Sequence, residues 1–280
     1  MRVSVGELIF DVDVAGPESG EPVLLLHGFP QYSGEWAGVA ALLHPYGCRT
    51  VAPDQRGYSP GARPAEVSAY AMAELVADAL AIMDALGCAT FHVVGHDWGG
   101  VVGWQLAARY PERVRTLTAV SVPHPGAIAE ALDEDASQRE RFGYIQLYQQ
   151  PGKAEEVLLA DDAARLRRMF TGCPPERVEG YVDRIRQPGA LTAALNWYRA
   201  MPPGGLAELE IIEVPTTYVW SDADFAIGTV AAQRCAGYVK GEYEFVALGR
   251  VGHWIPDAAP EPLATAIVRR VIAPDGATPG

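Results

Sequence analysis

Val93-Val94-Gly95-His96-Asp97-Trp98-Gly99-Gly100 is the stretch whose reading decides the fold. The apolar run Phe91 to Val94 breaks at Gly-x-Asp-x-Gly and passes into an apolar-rich stretch, Val101 to Ala108, that reads as a helix. The order is therefore strand, sharp turn, helix. Gly95 and Gly99 suit such a turn because backbone passes close to backbone there, where a Cβ would clash. The residue between them is lifted to the tip, the form called a nucleophile elbow, with Asp97 where serine more often stands. A serine must first lose a proton, whereas an aspartate of ordinary pKa ~3.9 is already an anion at neutral pH. The expected chemistry moves from acyl transfer to displacement at a saturated carbon. Taken alone, Asp97 reads equally well as a helix N-cap, so the rest of the chain has to decide.

Upstream, Arg2 to Val14 alternates apolar and polar residues and reads as strands joined by turns. Val23 to Leu26 is a short buried-type strand that delivers His27-Gly28-Phe29-Pro30, and Gly34 to Leu43 has helical spacing. Arg49 to Pro53 is another strand, closed by Asp54-Gln55-Arg56-Gly57. A helix running to Leu86 shows its buried face at Met72, Leu75, Val76, Ala79 and Met83, with Ser68 as its expected cap. Downstream, Val114 to Val122 is a strand. Alternating strands and helices imply a mostly parallel sheet covered on both faces, with ligands bound beyond the carboxyl ends of the strands. The loops after Leu26, Pro53 and Val94 can then share one rim.

From Pro123 the pattern changes. His124 to Met201 shows no clear strand, carries helical runs at Ala160 to Phe170 and Glu176 to Arg186, and is broken by Pro151-Gly152, Pro174-Pro175 and Pro188-Gly189, so residues 123–204 stand apart. This reads as a helical insertion, a cap on a core made of residues 1–122 and 205–280. Strands return at Pro215 to Trp220 and Tyr243 to Leu248, helices at Val230 to Val239 and Pro260 to Ile272, and the tail from Ala273 reads as disordered.

At 280 residues the chain is long enough for one large α/β domain with an insertion. Its four cysteines are scattered without metal-binding or C-x-x-C spacing, which points to reduced thiols and no disulfide. The formal charge of −13 argues against nucleic acid and weakly against anionic substrates. Met1 to Phe10 lacks the apolar core of a signal peptide and no segment is apolar enough to span a bilayer, so the expected location is cytoplasmic. Only Lys153 and Lys240 are lysine while arginine is plentiful, the usage of a high-GC bacterial genome.

In an α/β sheet with such an elbow, a nucleophile is followed in the chain by an acid and then a histidine. Asp97, Asp224 and His253 supply that order, the last two lying just past the strands that end at Trp220 and Leu248. His253 fits a base that deprotonates water, with a carboxylate on its other ring nitrogen fixing the tautomer. Chemistry alone does not separate Asp224 from Asp222 for that carboxylate. His27 and His96 are expected to orient the oxyanion loop, Asp54 and Arg56 to brace the rim, His124 to mark the cap entrance, Tyr148 to pack, and His44 and His92 to face solvent or pack.

Together, His27-Gly28-Phe29-Pro30, Gly95-His96-Asp97-Trp98-Gly99-Gly100 and Gly252-His253-Trp254 resemble the epoxide hydrolases of the α/β-hydrolase fold. The resemblance covers nearly the whole chain after the first strands. It implies an eight-stranded sheet with a cap inserted after the sixth strand, Asp224 as the acid, and two cap tyrosines that hold the epoxide oxygen. One lies seven residues before a Pro-Gly, which gives Tyr144, and the other belongs to Asn196-Trp197-Tyr198-Arg199, which gives Tyr198. Backbone N–H groups of Phe29 and Trp98 are the implied oxyanion donors, and their side chains the implied pocket lining. The partners implied are a small, mainly apolar epoxide and water, with no metal or organic cofactor. A phenol of pKa ~10 can donate to a leaving alkoxide without being ionised at rest.

The nearest rival shares the aspartate nucleophile. Haloalkane dehalogenases commonly carry asparagine where Phe29 stands, and fluoroacetate dehalogenases carry arginine where Trp98 stands, so both departures point away from halide chemistry. A non-catalytic ligand-binding α/β-hydrolase fold is a second alternative, disfavoured by the intact trio. Which epoxide is taken, with what selectivity, and whether the chain is a monomer or a homodimer are left open by the sequence.

Overall fold

The computed structural model describes residues 1–202 and 209–272. Eight strands, β1 (Arg2–Val5), β2 (Leu8–Ala15), β3 (Glu21–Leu26), β4 (Cys48–Pro53), β5 (Phe91–His96), β6 (Val114–Val120), β7 (Thr216–Ser221) and β8 (Tyr243–Leu248), form one sheet in the order β1-β2-β4-β3-β5-β6-β7-β8. The β1–β2 and β2–β4 pairs are antiparallel and the rest parallel. Alternate side chains sort to two faces, as the period of a strand requires. Leu24, Leu26, Val93, Leu117 and Ala119 join the core under α2 (Met72–Ala85) and α3 (Trp98–Arg109). Val23, Leu25, Val94, Val120 and Val219 join the core under α1 (Ala37–Leu43) and α12 (Pro260–Ile272).

Between β6 and β7 the described residues fold as helices: α4 (Pro125–Glu134), α5 (Ala136–Arg141), α6 (Gly143–Tyr148), α7 (Lys153–Met169), α8 (Pro175–Ile185) and α9 (Ala190–Arg199). In α7 the backbone leaves helical geometry at Ala160–Ala163, so the run expected from Ala160 begins at a kink within a longer helix. Val230 to Val239, expected as one helix, is α10 (Thr229–Arg234) followed by a 3-10 turn (Cys235–Tyr238), and a short α11 (Ile255–Ala258) precedes α12. Position 204, where the insertion was expected to end, and the tail from Ala273 lie outside the described residues. No helix among the described residues is long and apolar enough to cross a membrane.

Ser68 does not cap α2. It is exposed on a 3-10 turn (Val67–Tyr70), and the helix starts at Met72 after an extended Ala71 that makes no side-chain cap bond. The buried Tyr70, whose hydroxyl donates to Pro64 O (2.8 Å), fixes that turn and so decides where the helix begins.

At the elbow, a Cβ on Gly99 would lie 2.0 Å from Leu26 O, and one on Gly95 would lie 2.2 Å from Gly99 O. Neither neighbour is a side chain that could swing away. Gly99→Ala should therefore cost about 3 kcal/mol or more, read as a lowered denaturation midpoint at unchanged slope. A near-native midpoint would mean that the β3–β5–α3 junction is looser than these distances describe.

Candidate active site

The parallel strands β3 to β8 all end at one rim, and β3, β5, β6, β7 and β8 each lead into a polar group of the site. Asp97 follows β5 with φ +52°, a strained value for a residue with a Cβ. It occupies the N-cap position of α3, yet its side chain makes no capping bond. Its Oδ1 instead accepts the backbone N–H of Phe29 from the loop after β3 (2.9 Å), and its Oδ2 lies 3.4 Å from His253 Nε2. Trp98 opens α3, so its N–H is one of those a helix's first turn leaves without an intrahelical partner.

His253, past β8, has Nδ1 3.0 Å from both carboxylate oxygens of Asp224. Asp224 is buried and also accepts from Ala226 N (2.8 Å) and Ile227 N (3.0 Å) through Oδ1. Asp222, two residues away, is exposed and accepts from Arg250 N (2.6 Å), a loop contact away from the imidazole. The ambiguity between the two aspartates disappears in three dimensions. Burial alone would lower the His253 pKa, but the charge of Asp224 and then Asp97 more than offsets it and holds the imidazole above its ordinary range. Burial would likewise raise both carboxyls, and the bonds and charge of His253 keep both below the ordinary range. The resting site is thus an imidazolium between two carboxylates.

Two cavities meet at this point. The larger, about 670 Å³, has an apolar wall that includes Val101, Val122, Ile128, Leu132, Phe142 and Ile145. The smaller, about 180 Å³, is lined by His253 with Phe29, Tyr148, Met169, Phe225 and Trp254 among others. Among the described residues, Asp97, Tyr144 and Tyr198 are the three that line both. Tyr198, from α9, is buried edge-on against Trp98 (ring centroids 5.1 Å) and Phe29 (5.3 Å), and Tyr144, from α6, stands 6.3 Å from Tyr198. Burial and the charge of Asp97 raise the Tyr144 phenol well above its ordinary pKa, and burial with its phenol neighbours and Asp97 does the same for Tyr198. Tyr148 packs between them, its hydroxyl turned to Met169 Sδ (3.5 Å).

A family model described as alpha/beta hydrolase fold matches residues 21–260. Three similar proteins place it more closely. An AB hydrolase superfamily protein, YfhM of Bacillus subtilis, is 32% identical, with 96% of this chain and 95% of that one covered. Epoxide hydrolase A of Mycobacterium tuberculosis is 30% identical over 90% of this chain and 91% of its own. The chain belongs to the alpha/beta hydrolase family and groups with its epoxide hydrolases. A solved structure of epoxide hydrolases from metagenomes of hot environments superposes with a TM-score of 0.86 at 26% identity, 98% of each chain covered.

In this alpha/beta hydrolase both supporting histidines bond to the segment after β3, as expected, and His96 also reaches the loop of the base. Burial pushes His96 down to about 4, so it is neutral; its Nε2 lies 2.9 Å from the carbonyl of His253 and its Nδ1 3.2 Å from Glu35 Oε2. A neutral ring that donates through Nε2 accepts at Nδ1, and Glu35, whose carboxyl burial holds well above the usual range, supplies that proton. His96 therefore links the loop of the base, through the His253 carbonyl, to the segment after β3, through Glu35. His27, also pushed down to about 4 by burial, accepts from Gln55 N (3.1 Å) and ties the loop after β3 to the one after β4. Asp54 accepts from Ser33 N (3.0 Å) and from Arg184 of α8, while Arg56 forks onto buried Asp78 (2.6 and 2.7 Å). His124 caps α4 by accepting from Gly126 N (3.1 Å).

Sequence reasoning missed Glu35 and Ser121. Glu35 sits in the stretch read as a helix (Gly34 to Leu43), whose start is a 3-10 turn (Ser33–Trp36) that turns it inward. Ser121 follows β6 directly, and the signal available was its place at the same strand rim as Asp97. Among the described residues no cluster of His, Cys, Asp and Glu could hold a metal ion, and all four cysteines are free thiols.

Proposed function

We propose that the chain converts an epoxide to a vicinal diol through an ester on Asp97, with residues 123–204 acting as the cap that carries both tyrosines. What carries this reading is that, among the described residues, Asp97, Tyr144 and Tyr198 alone line both cavities, so an oxirane held where they join meets a carboxylate on one side and neutral phenols on the other. The relatives named epoxide hydrolase support it. The apolar wall of the larger cavity suits a mainly apolar substituent, and the smaller cavity, which contains the base, suits water.

The two oxygens of Asp97 have separate tasks. Oδ1 is held by the Phe29 N–H, leaving Oδ2 to attack an epoxide carbon, while Tyr144 or Tyr198 gives a proton to the opening oxygen. Ester formation cancels the charge on Asp97, which had helped to keep His253 protonated. The tyrosinate recovers its proton from the imidazolium by way of water in the smaller cavity they share. His253 is then neutral with Nε2 free. Water attacks Cγ and gives a proton to Nε2, while the charge developing on Oδ1 is held by the N–H groups of Phe29 and Trp98. On collapse the hydroxyl newly bound to Cγ passes its proton to the departing oxygen. One epoxide and one water have become one diol, and carboxylate, imidazolium and phenols are restored.

The test is intact-protein mass of His253→Gln after exposure to a panel of epoxides and matched haloalkanes. The expected result is an added mass equal to a whole epoxide, absent when Asp97 is also changed to Asn. An adduct from haloalkanes alone, with halide released, would instead make the chain a dehalogenase, and no adduct from either panel would remove the ester reading.

A further inference from the structure

Ser121 is one of the few described residues other than glycine with positive φ (+70°), and it is fully buried. Such a conformation is costly for a side chain with a Cβ and persists only where surrounding bonds hold it. Those bonds are present: the Ser121 N–H donates to Val219 O (2.8 Å) and its carbonyl accepts from the Tyr218 hydroxyl (2.7 Å). The effect is to bring the Ser121 hydroxyl between the acid and the base. It donates to Asp224 Oδ2, and its Oγ lies 2.8 Å from His253 Nδ1.

A hydroxyl has one proton, and Asp224 Oδ2, which has none to give, must receive it. A lone pair of Oγ therefore faces His253. The environment of Nδ1 is then three oxygens, two of Asp224 and one of Ser121, and every contact is attractive only when Nδ1 carries a proton. A proton moved from Nδ1 to Asp224 would lose the Ser121 acceptor and put two protons against Oδ2. We infer that Ser121 is a positioning residue: it holds the Nδ1 proton on the imidazole, so that Nε2 is the nitrogen left free once Asp97 is esterified. This rests on the ester reading above. It also explains why a residue with a Cβ occupies a left-handed position, since glycine would relieve the backbone and lose the hydroxyl.

Three variants separate this role from a structural one, each followed by single-turnover quench with styrene oxide, scoring ester formation and ester breakdown by intact mass, beside its thermal midpoint. Ser121→Ala and Ser121→Gly should form the ester at a near-native rate and break it down roughly tenfold more slowly, the scale of one hydrogen bond to a charged group. Ser121→Gly should do so with a thermal midpoint no lower than native. Ser121→Thr keeps the hydroxyl but strains the backbone, so it should show the opposite split, a lowered midpoint with faster breakdown than Ser121→Gly. Native-like breakdown in Ser121→Gly would overturn the proposal while leaving the ester reading intact. Absence of an ester from every one of these proteins and from His253→Gln, with styrene oxide and with the rest of the epoxide panel, would remove both together.

Discussion

Asp224→Asn should form the ester on Asp97 within about tenfold of the native rate and hydrolyse it about 10⁴-fold more slowly, the cost of a wrong tautomer at a histidine base. In that variant Oδ1 keeps the two backbone donors, Ala226 N and Ile227 N, so the loop after β7 stays in place. The amide nitrogen then faces His253 Nδ1 and the Ser121 hydroxyl, where an acceptor is needed. The ring answers by moving its proton to Nε2, and the lone pair that should accept from water is gone. Asp222→Asn is the control. Its side chain is exposed and its contact is the Arg250 N–H, which an amide oxygen serves as well, so both steps should stay within about twofold of native. Rapid-quench mass spectrometry on a single turnover reads both steps. If Asp222→Asn were the slow variant, the loop after β7 would have to rearrange before catalysis.

Tyr144→Phe and Tyr198→Phe together should slow ester formation by about 10³-fold or more, while each alone should lose only about ten- to a hundredfold. In the proposed mechanism either phenol serves to protonate the opening oxygen, so the second covers for the first. The rings stay, and with them the edge-on contacts of Tyr198 to Trp98 and Phe29, so the double variant should keep its fold. Ester breakdown, measured on whatever ester forms, should change far less than formation. A double variant that opens epoxides at the native rate would remove both tyrosines from the chemistry and leave them as packing.

Much of this site is legible in the sequence because its parts follow strands. Gly-x-Asp-x-Gly after an apolar run marks a strand-to-helix turn whatever the rest of the chain does, and Asp97, Asp224 and His253 each lie a few residues past a strand that a period or a run discloses. The tyrosines were legible by resemblance alone, since nothing in the spacing of α6 or α9 distinguishes Tyr144 or Tyr198 from Tyr148. What was not legible depends on contacts between distant segments. Glu35 meets His96 across 61 positions and Ser121 meets Asp224 across 103, and neither carries a local pattern. The choice between Asp222 and Asp224 needed the path of the loop after β7. The misplaced start of α2 has the same origin: a buried Tyr70, not the capping preference of Ser68, sets the turn.

The unequal holding of the two Asp97 oxygens has a consequence for the bookkeeping of oxygen atoms. Under the proposed ester mechanism, with Oδ1 fixed by the Phe29 N–H, the diol would depart with the oxygen that was Oδ2, and the oxygen of the attacking water would stay behind in the carboxylate, on the side that faces His253. That atom would be the next nucleophile. In this mechanism each molecule of diol carries away an oxygen that entered the protein with the water of the turnover before it, so that the aspartate is a way-station through which solvent oxygen passes one cycle late.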